Sequence, residues 1–315
     1  MILHTQIPIE PKDPKIDYKS KVLLIGSCFV ENIGSKLDYL KFDILQNPFG
    51  ILFHPIAIER IISRAINNEL FTESDIFYER DRWNCFEVHS SLSLIDKLEY
   101  LNYINNRLSE IADYLTSATH VVFTYGTSWV YRLVENDLPV ANCYKLPQSN
   151  FTKELLDVDT VEISIINTVD LIKKVNPEAA IILTVSPVRH LKDGILENNR
   201  SKAHLLSALH AVIEKKNSVY YFPSYEIMMD ELRDYRFYKL DMIHPNETAI
   251  TIIWDKFIKT WISDHTNELR KEIESIRSAM NHRPFDSNSK QHREFLEKLE
   301  LRISSLQEQY PFIRF

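Results

Sequence analysis

The stretch VLLIGSCFVENIG, residues 22–34, packs two nucleophilic side chains, Ser27 and Cys28, into the corner between an apolar run and a helical pattern. A thiol or hydroxyl in the first turn of a helix meets unpaired backbone amides and the positive end of the helix dipole, which favours a thiolate or an oxyanion. Small residues also suit any tight strand-to-helix junction, so this corner by itself leaves chemistry and packing both open. Further along, KLDMIHPNETA sets Asp241 and His244 three residues apart, just before a helix start capped near Asn246. A carboxylate that orients an imidazole makes a proton carrier. In NPFG, the bare backbone of Gly50 can bring an amide close to a ligand. FTYGTS adds Gly126 and Ser128, and SPVRHLKDG adds Arg189, a bidentate clamp for a carboxylate or phosphate, with His190 beside it. WNCFEVHSS places Trp83, His89 and Ser90 on a loop that would close over a site, although His89 reads equally well as a buried structural residue. The eleven histidines include neither H-E-x-x-H nor a Cys/His quartet at ligand spacing, so neither a metal site nor any cofactor is expected.

These residues need a scaffold that gathers them. Short β-branched runs alternate with segments of 3.6-residue period, which predicts β/α units and a parallel sheet covered on both faces. Strands are expected at 22–26, 42–46, 120–126, 179–186 and 218–224. Helices are expected near 28–40, 55–68, 96–115, 161–175, 198–216 and 246–263. The stretches 71–95 and 130–160 show no regular period and read as long loops. In doubly wound sheets ligands bind beyond the carboxyl ends of the strands, where Gly26-Ser27-Cys28, Gly50, Gly126-Ser128 and Arg189-His190 all fall. Glycine is scarce, 5 in 315 residues, where average usage would give roughly twenty. Four of the five lie in or near those strand ends.

Composition narrows the classes. The chain carries 37 Lys and Arg against 44 Asp and Glu, a net charge of −7, with no dense basic run, so nucleic acid is not an expected partner. Cys28, Cys85 and Cys143 form an odd, widely spaced set that fits reduced thiols. No stretch approaches the ~20 apolar residues of a membrane span, and MILHTQIPIEPKDPKID lacks a basic region followed by an apolar one, so no membrane contact is expected and a cytoplasmic location is. From residue 265 the pattern turns to charged segments with apolar residues at Leu269, Ile273, Ile276 and Met280, then at Leu296, Leu299, Ile303 and Leu306. Pro284 and a Ser/Asn-rich turn stand between them. This predicts an α-hairpin over 265–315, following a domain over 1–264, that folds back on its own chain or pairs two chains as a homodimer.

GSCFVENIG, together with QNPFGILFHP, FTYGTSWVYR, TVSPVRHLKDG, NRSKAHLL, DMIHPNETA and NHRPF, resembles the GSCFA-domain proteins, a bacterial family placed within the SGNH (GDSL-like) hydrolase superfamily. The resemblance implies a three-layer α/β/α sandwich with a five-stranded parallel sheet, SGNH/flavodoxin-like, ahead of the C-terminal hairpin. It also implies acyl-ester chemistry on a small or carbohydrate-linked acyl group. Superfamily members read Gly-Asp-Ser at the first strand end with Ser as nucleophile; that register puts Cys28 at the nucleophile position and Ser27 in place of the Asp, where it would orient the turn by hydrogen bonding to backbone. Their third block is Gly-x-Asn, where this chain has Gly126-Thr127-Ser128. Gly50 takes the second-block glycine, and Asp241 and His244 the closing Asp-x-x-His. The chemistry then reads as attack of the Cys28 thiolate on an acyl carbonyl, with His244 taking and returning the proton and Asp241 holding its tautomer. The amides of Cys28 and Gly50 and the Ser128 hydroxyl would receive the oxyanion. A thioester intermediate suits transfer to a hydroxyl or amine as well as hydrolysis. The alternative is a catalytically silent binding module built on the same sandwich.

Overall fold

The computed structural model describes residues 5–283, 285–286 and 289–315. The chain runs β1 (Lys21–Gly26), α1 (Cys28–Tyr39), β2 (Asp43–Gln46), α2 (Pro55–Asn67), β3 (Phe77–Glu79), β4 (Arg82–Asn84), α3 (Lys97–Ser117), β5 (His120–Tyr125), β6 (Trp129–Leu133), β7 (Pro139–Val140), β8 (Phe151–Leu155), α4 (Val158–Val175), β9 (Ala180–Val185), α5 (Ile195–Lys215) and β10 (Val219–Tyr221). It continues through a short α6 (Ser224–Glu226), extended by a π turn to Glu231, into α7 (Glu247–Trp261), α8 (Asn267–Met280) and α9 (Lys290–Gln309).

Five strands form the sheet, in the order β10-β9-β5-β1-β2, all parallel. β1 shows why the strands read as unbroken apolar runs. Val22 and Leu24 point into one core, with Phe29, Ile33 and Leu37 of α1 and Ile253 and Phe257 of α7. Leu23 and Ile25 point into the other, against α2, α3, α4 and α5. The result is the expected three-layer α/β/α sandwich, with the sheet strands and main helices within a few residues of their expected positions.

The two stretches expected to be loops are ordered differently. β3 and β4 make an antiparallel hairpin, and β7-β6-β8 form a separate three-stranded antiparallel sheet. Runs of two to five residues are too short to show a period, and Pro139 and Pro147 sit at strand and turn starts where they disguise the strands as loop.

α8 and α9 pair as expected, burying Leu269, Ile273 and Ile276 with Leu299, Leu306 and Ile313. Met280 and Leu296 are largely exposed and lie off that stripe. The pair rests on its own chain: Tyr18 stacks on Phe42 with centroids 4.4 Å apart and meets Phe312 at 6.2 Å, and Arg277 lies 4.7 Å over the Tyr39 ring at the end of α1. Pro284, Ser287 and Asn288, where the sequence reads as a turn, lie outside the described residues, as do the first four residues of the N-terminal segment. Among the described residues no helix is long and apolar enough to cross a membrane.

Candidate active site

Gly26 ends β1 at φ +149°, and a Cβ there would sit 2.3 Å from the Thr124 carbonyl oxygen of β5. Only glycine lets β1 turn so close to its neighbour. The next amide, that of Ser27, donates to that same Thr124 oxygen at 2.9 Å. Ser27 is fully buried, and its hydroxyl has no partner and makes no cap bond. The expectation that the Ser27 hydroxyl orients the turn is therefore corrected: the Gly26 conformation and the Ser27 amide do so.

Cys28 opens α1, partly exposed at the carboxyl edge of the sheet. Burial pushes its thiol above the usual range and Glu31, one turn on, pushes it further. Lys202 and the backbone amides of Cys28 and Phe29 pull the other way. The helix N-terminus thus acts in the expected direction but does not outweigh burial, and the cation whose charge acts on the thiol is Lys202.

Asp241 and His244 form the expected pair. Asp241 Oδ2 accepts the Nδ1–H of His244 at 2.7 Å, and its Oδ1 accepts the amides of Ile243 at 2.8 Å and His244 at 3.0 Å. Those amides, before the imidazole, hold the carboxyl down at about 2, so it stays ionised and Nδ1 must carry the proton. Nε2 is left as the base. Met242 bends this turn with φ 57°, and the Asn246 side chain accepts the Ala249 amide at 3.1 Å to start α7. The turn is fastened to the site by the Arg189 amide, which donates to the Ile243 carbonyl at 3.3 Å.

His190 lies deeper. Its Nε2 is buried without a partner, and its ring meets Phe53 edge-on at 5.3 Å. Burial, then Lys202 and His244, depress it to about 3, so it is neutral at any working pH. A Cβ on Gly126 would lie 3.1 Å from that Nε2, 3.2 Å from Phe53 Cδ1 and 3.3 Å from Ser27 Cβ. Gly126 therefore leaves open a space bordered by His190, Phe53 and Ser27. The Arg189 guanidinium lies 4.3 Å over the Tyr238 ring, on the wall of a cavity of about 360 Å³ that Tyr225, Met229 and Arg233 also line.

Two expected oxyanion donors are occupied. The Gly50 amide closes a turn onto the Asn47 carbonyl at 2.7 Å. Gly50 itself stands at φ +70°, where a Cβ would lie 2.5 Å from His89 Cβ. The Ser128 hydroxyl is fully buried and donates to the Ser201 carbonyl at 3.1 Å, while the Ser128 amide donates to Ser201 Oγ at 2.8 Å. His89 accepts the Ser91 amide on Nδ1 at 3.2 Å and abuts Gly50, with Glu31 close enough to oppose the effect of its burial. Trp83, by contrast, belongs to the β3–β4 hairpin beneath Lys97 and Tyr78.

Two residues not singled out in the sequence stand in the site. Asn47 accepts the Gly26 amide on Oδ1 at 2.9 Å, and its Nδ2 is buried without a partner. Lys202, 1% exposed, donates from Nζ to the Gly126 and Ser186 carbonyls at 2.7 Å each, bridging the ends of β5 and β9. Burial pulls its ammonium down to about 7, with the Cys28 charge opposing. Its signal was present in the sequence: Asn198, Ser201, Lys202, Leu205, Leu209 and Val212 recur at 3-and-4 spacing and form the buried face of α5.

The chain is thus a parallel α/β/α sandwich with a Gly-Ser-Cys corner after its first strand and Asp-x-x-His before α7. The chain belongs to the GSCFA family, whose model matches residues 21–257; the model of the GSCFA domain protein C-terminal domain matches residues 273–315. No curated protein matches it in sequence. Solved structures with similarity include a family 3 carbohydrate esterase from Talaromyces cellulolyticus, 9% identical over 81% of this chain and 99% of that one, with a TM-score of 0.36. An acetyl xylan esterase from Butyrivibrio proteoclasticus is 12% identical over 80% of this chain and 65% of that one, at 0.39. A family 3 carbohydrate esterase from Clostridium thermocellum is 11% identical over 80% and 97%, at 0.35. Scores this low assign neither a substrate nor a residue role.

Proposed function

We propose that this protein is an acyl-ester hydrolase or acyltransferase that works through a covalent acyl-enzyme on Cys28, acting on a small or carbohydrate-linked acyl group. The observation that carries the reading is the Asp241–His244 pair. The carboxylate fixes the imidazole with Nε2 free, in the turn that the Arg189 amide ties to the loop after β9. His244 then serves the oxygens that leave and enter the acyl carbon, and Asp241 steadies the imidazolium that forms. The amides of Cys28 and Phe29 at the α1 N-terminus act on the sulfur and supply the dipole for an oxyanion. Arg189, whose amide ties the His244 turn and whose guanidinium lies over the Tyr238 ring, would hold the part of the substrate beyond the acyl group.

A second reading, a silent binding module, draws on the internal bonds of the Gly50 amide and the Ser128 hydroxyl, which leave the expected oxyanion hole short of donors. The two separate in one experiment. The purified protein is offered p-nitrophenyl acetate and an acetyl thioester, with and without sugar acceptors. Turnover lost in His244→Ala supports the enzyme, and acetylated sugar as the product supports transfer. No turnover and no covalent intermediate supports the module.

A further inference from the structure

We infer that the cavity of about 360 Å³ walled by Arg189 and Tyr238 seats a neutral sugar ring, the body to which the acyl group is attached. This rests on the acyl-ester reading and names the substrate class for it. The volume stands at the low end of small-ligand pockets, which run roughly 300–1,000 Å³, and so suits one ring rather than a chain of them.

Backbone bonds join the cavity wall to the turn that carries His244. Tyr238 pairs antiparallel with Pro245, the Lys239 amide donates to the His244 carbonyl at 2.7 Å, and the Asn246 amide donates to the Phe237 carbonyl at 2.9 Å. The Arg189 amide holds the Ile243 carbonyl at 3.3 Å. Two residues of the wall are thus fastened on either side of the imidazole in sequence, with no free linker between. Another part of the wall comes from the π turn Ile227–Glu231, which carries Asp230. Such a turn departs from regular helix bonding and recurs at functional sites.

The side chains on this wall decide the ligand. Among the described residues neither Arg189, Arg233 nor Asp230 forms an ion pair, although all three line the one cavity. Opposite charges that share a cavity without neutralising each other leave donors and acceptors open to a ligand. An anion would meet Asp230, and a cation would meet two guanidinium groups. A neutral polyol serves both, giving hydroxyl hydrogens to the carboxylate and accepting N–H bonds on its oxygens. The Arg189 guanidinium is steadied by aromatic rings, 4.3 Å over Tyr238 and 5.6 Å from the centre of Tyr235. Tyr225, Tyr235 and Tyr238 supply flat apolar surface for the C–H face of a sugar. Tyr235 is 63% exposed, so its ring has apolar area to bury when a ligand covers it.

The test is saturation-transfer NMR on the full chain with the methyl glycosides of glucose, galactose, mannose, xylose and N-acetylglucosamine. Each is offered at about 10 mM, above a weak Kd of about 1 mM. At least one glycoside is expected to bind wild type, and Asp230→Ala and Tyr235→Ala are each expected to weaken it by about tenfold. Both residues are exposed, so their removal leaves the core intact. No binding by any glycoside, or binding unchanged in both variants, overturns the inference. Inorganic phosphate bound in their stead, read by phosphorus NMR, overturns it in favour of an anion. None of the glycosides carries an ester, so the result is independent of turnover. Glycoside binding in a protein that never turns over p-nitrophenyl acetate would leave the sugar site standing and sink the acyl-ester reading; turnover with no glycoside bound would do the reverse.

Discussion

Asp241 grips His244 twice: Oδ2 takes the ring Nδ1–H at 2.7 Å and Oδ1 takes the backbone amide of the same residue at 3.0 Å. Ring and backbone cannot then turn independently, so the tautomer and direction of the imidazole are set before any substrate arrives. Asp241→Asn is expected to lower kcat on p-nitrophenyl acetate by about 10²- to 10⁴-fold with KM little changed. Steady-state kinetics check this, and a loss under threefold contradicts it. Because the amides hold the carboxyl at about 2, the pair forms fully above the ordinary carboxylate range and is lost only as pH falls through that value, which an NMR titration of Asp241 would show.

Ser128→Ala separates the two roles given to that residue. Its hydroxyl is bonded to Ser201 in the interior, so removal is expected to lower stability by about 1 kcal/mol and to leave kcat within about twofold. Denaturant melts and kinetics measure both. A hundredfold loss in kcat with unchanged stability would return Ser128 to the oxyanion hole.

The sheet and its order of ligand-side loops were legible because each strand reads as a short apolar run and each covering helix shows a clean period. The Asp241–His244 pair was legible for a related reason: three residues is one turn, so the contact is local. Lys202 was hidden by its type, since lysine reads as solvent even where the spacing of Ser201, Leu205 and Leu209 places it inward. The occupancy of the Gly50 amide and the Ser128 hydroxyl depends on Asn47 and Ser201, contacts that no pattern in the sequence announces.

Lys202 also leaves a mark on stability. In the unfolded chain a lysine keeps its proton to roughly pH 10.4, whereas the buried one loses it near 7. Between those values the unfolded state binds more protons, so stability rises with pH, and below about 7 the effect is constant. Against Lys202→Met, wild type is expected to gain stability as pH rises from about 7 to about 10. Urea melts at three pH values test this, and a constant difference contradicts it.

The α8–α9 hairpin is expected to be separable from the chemistry. Ile276, fully buried between the two helices, becomes Asp in a variant expected to destabilise the hairpin by a few kcal/mol while Cys28 alkylation stays within about twofold of wild type. A large loss of Cys28 reactivity with the sandwich still folded would tie the hairpin to the site.

The central claim is that Cys28 carries the acyl group. Brief reaction with p-nitrophenyl acetate, acid quench and peptide mass spectrometry test it directly, in wild type and in Ser27→Ala. The account predicts one acetyl on the Cys28 side chain in both proteins and none in Cys28→Ala. An acetyl on Ser27 that persists in Cys28→Ala, or turnover with no acyl-enzyme at either residue, would contradict it.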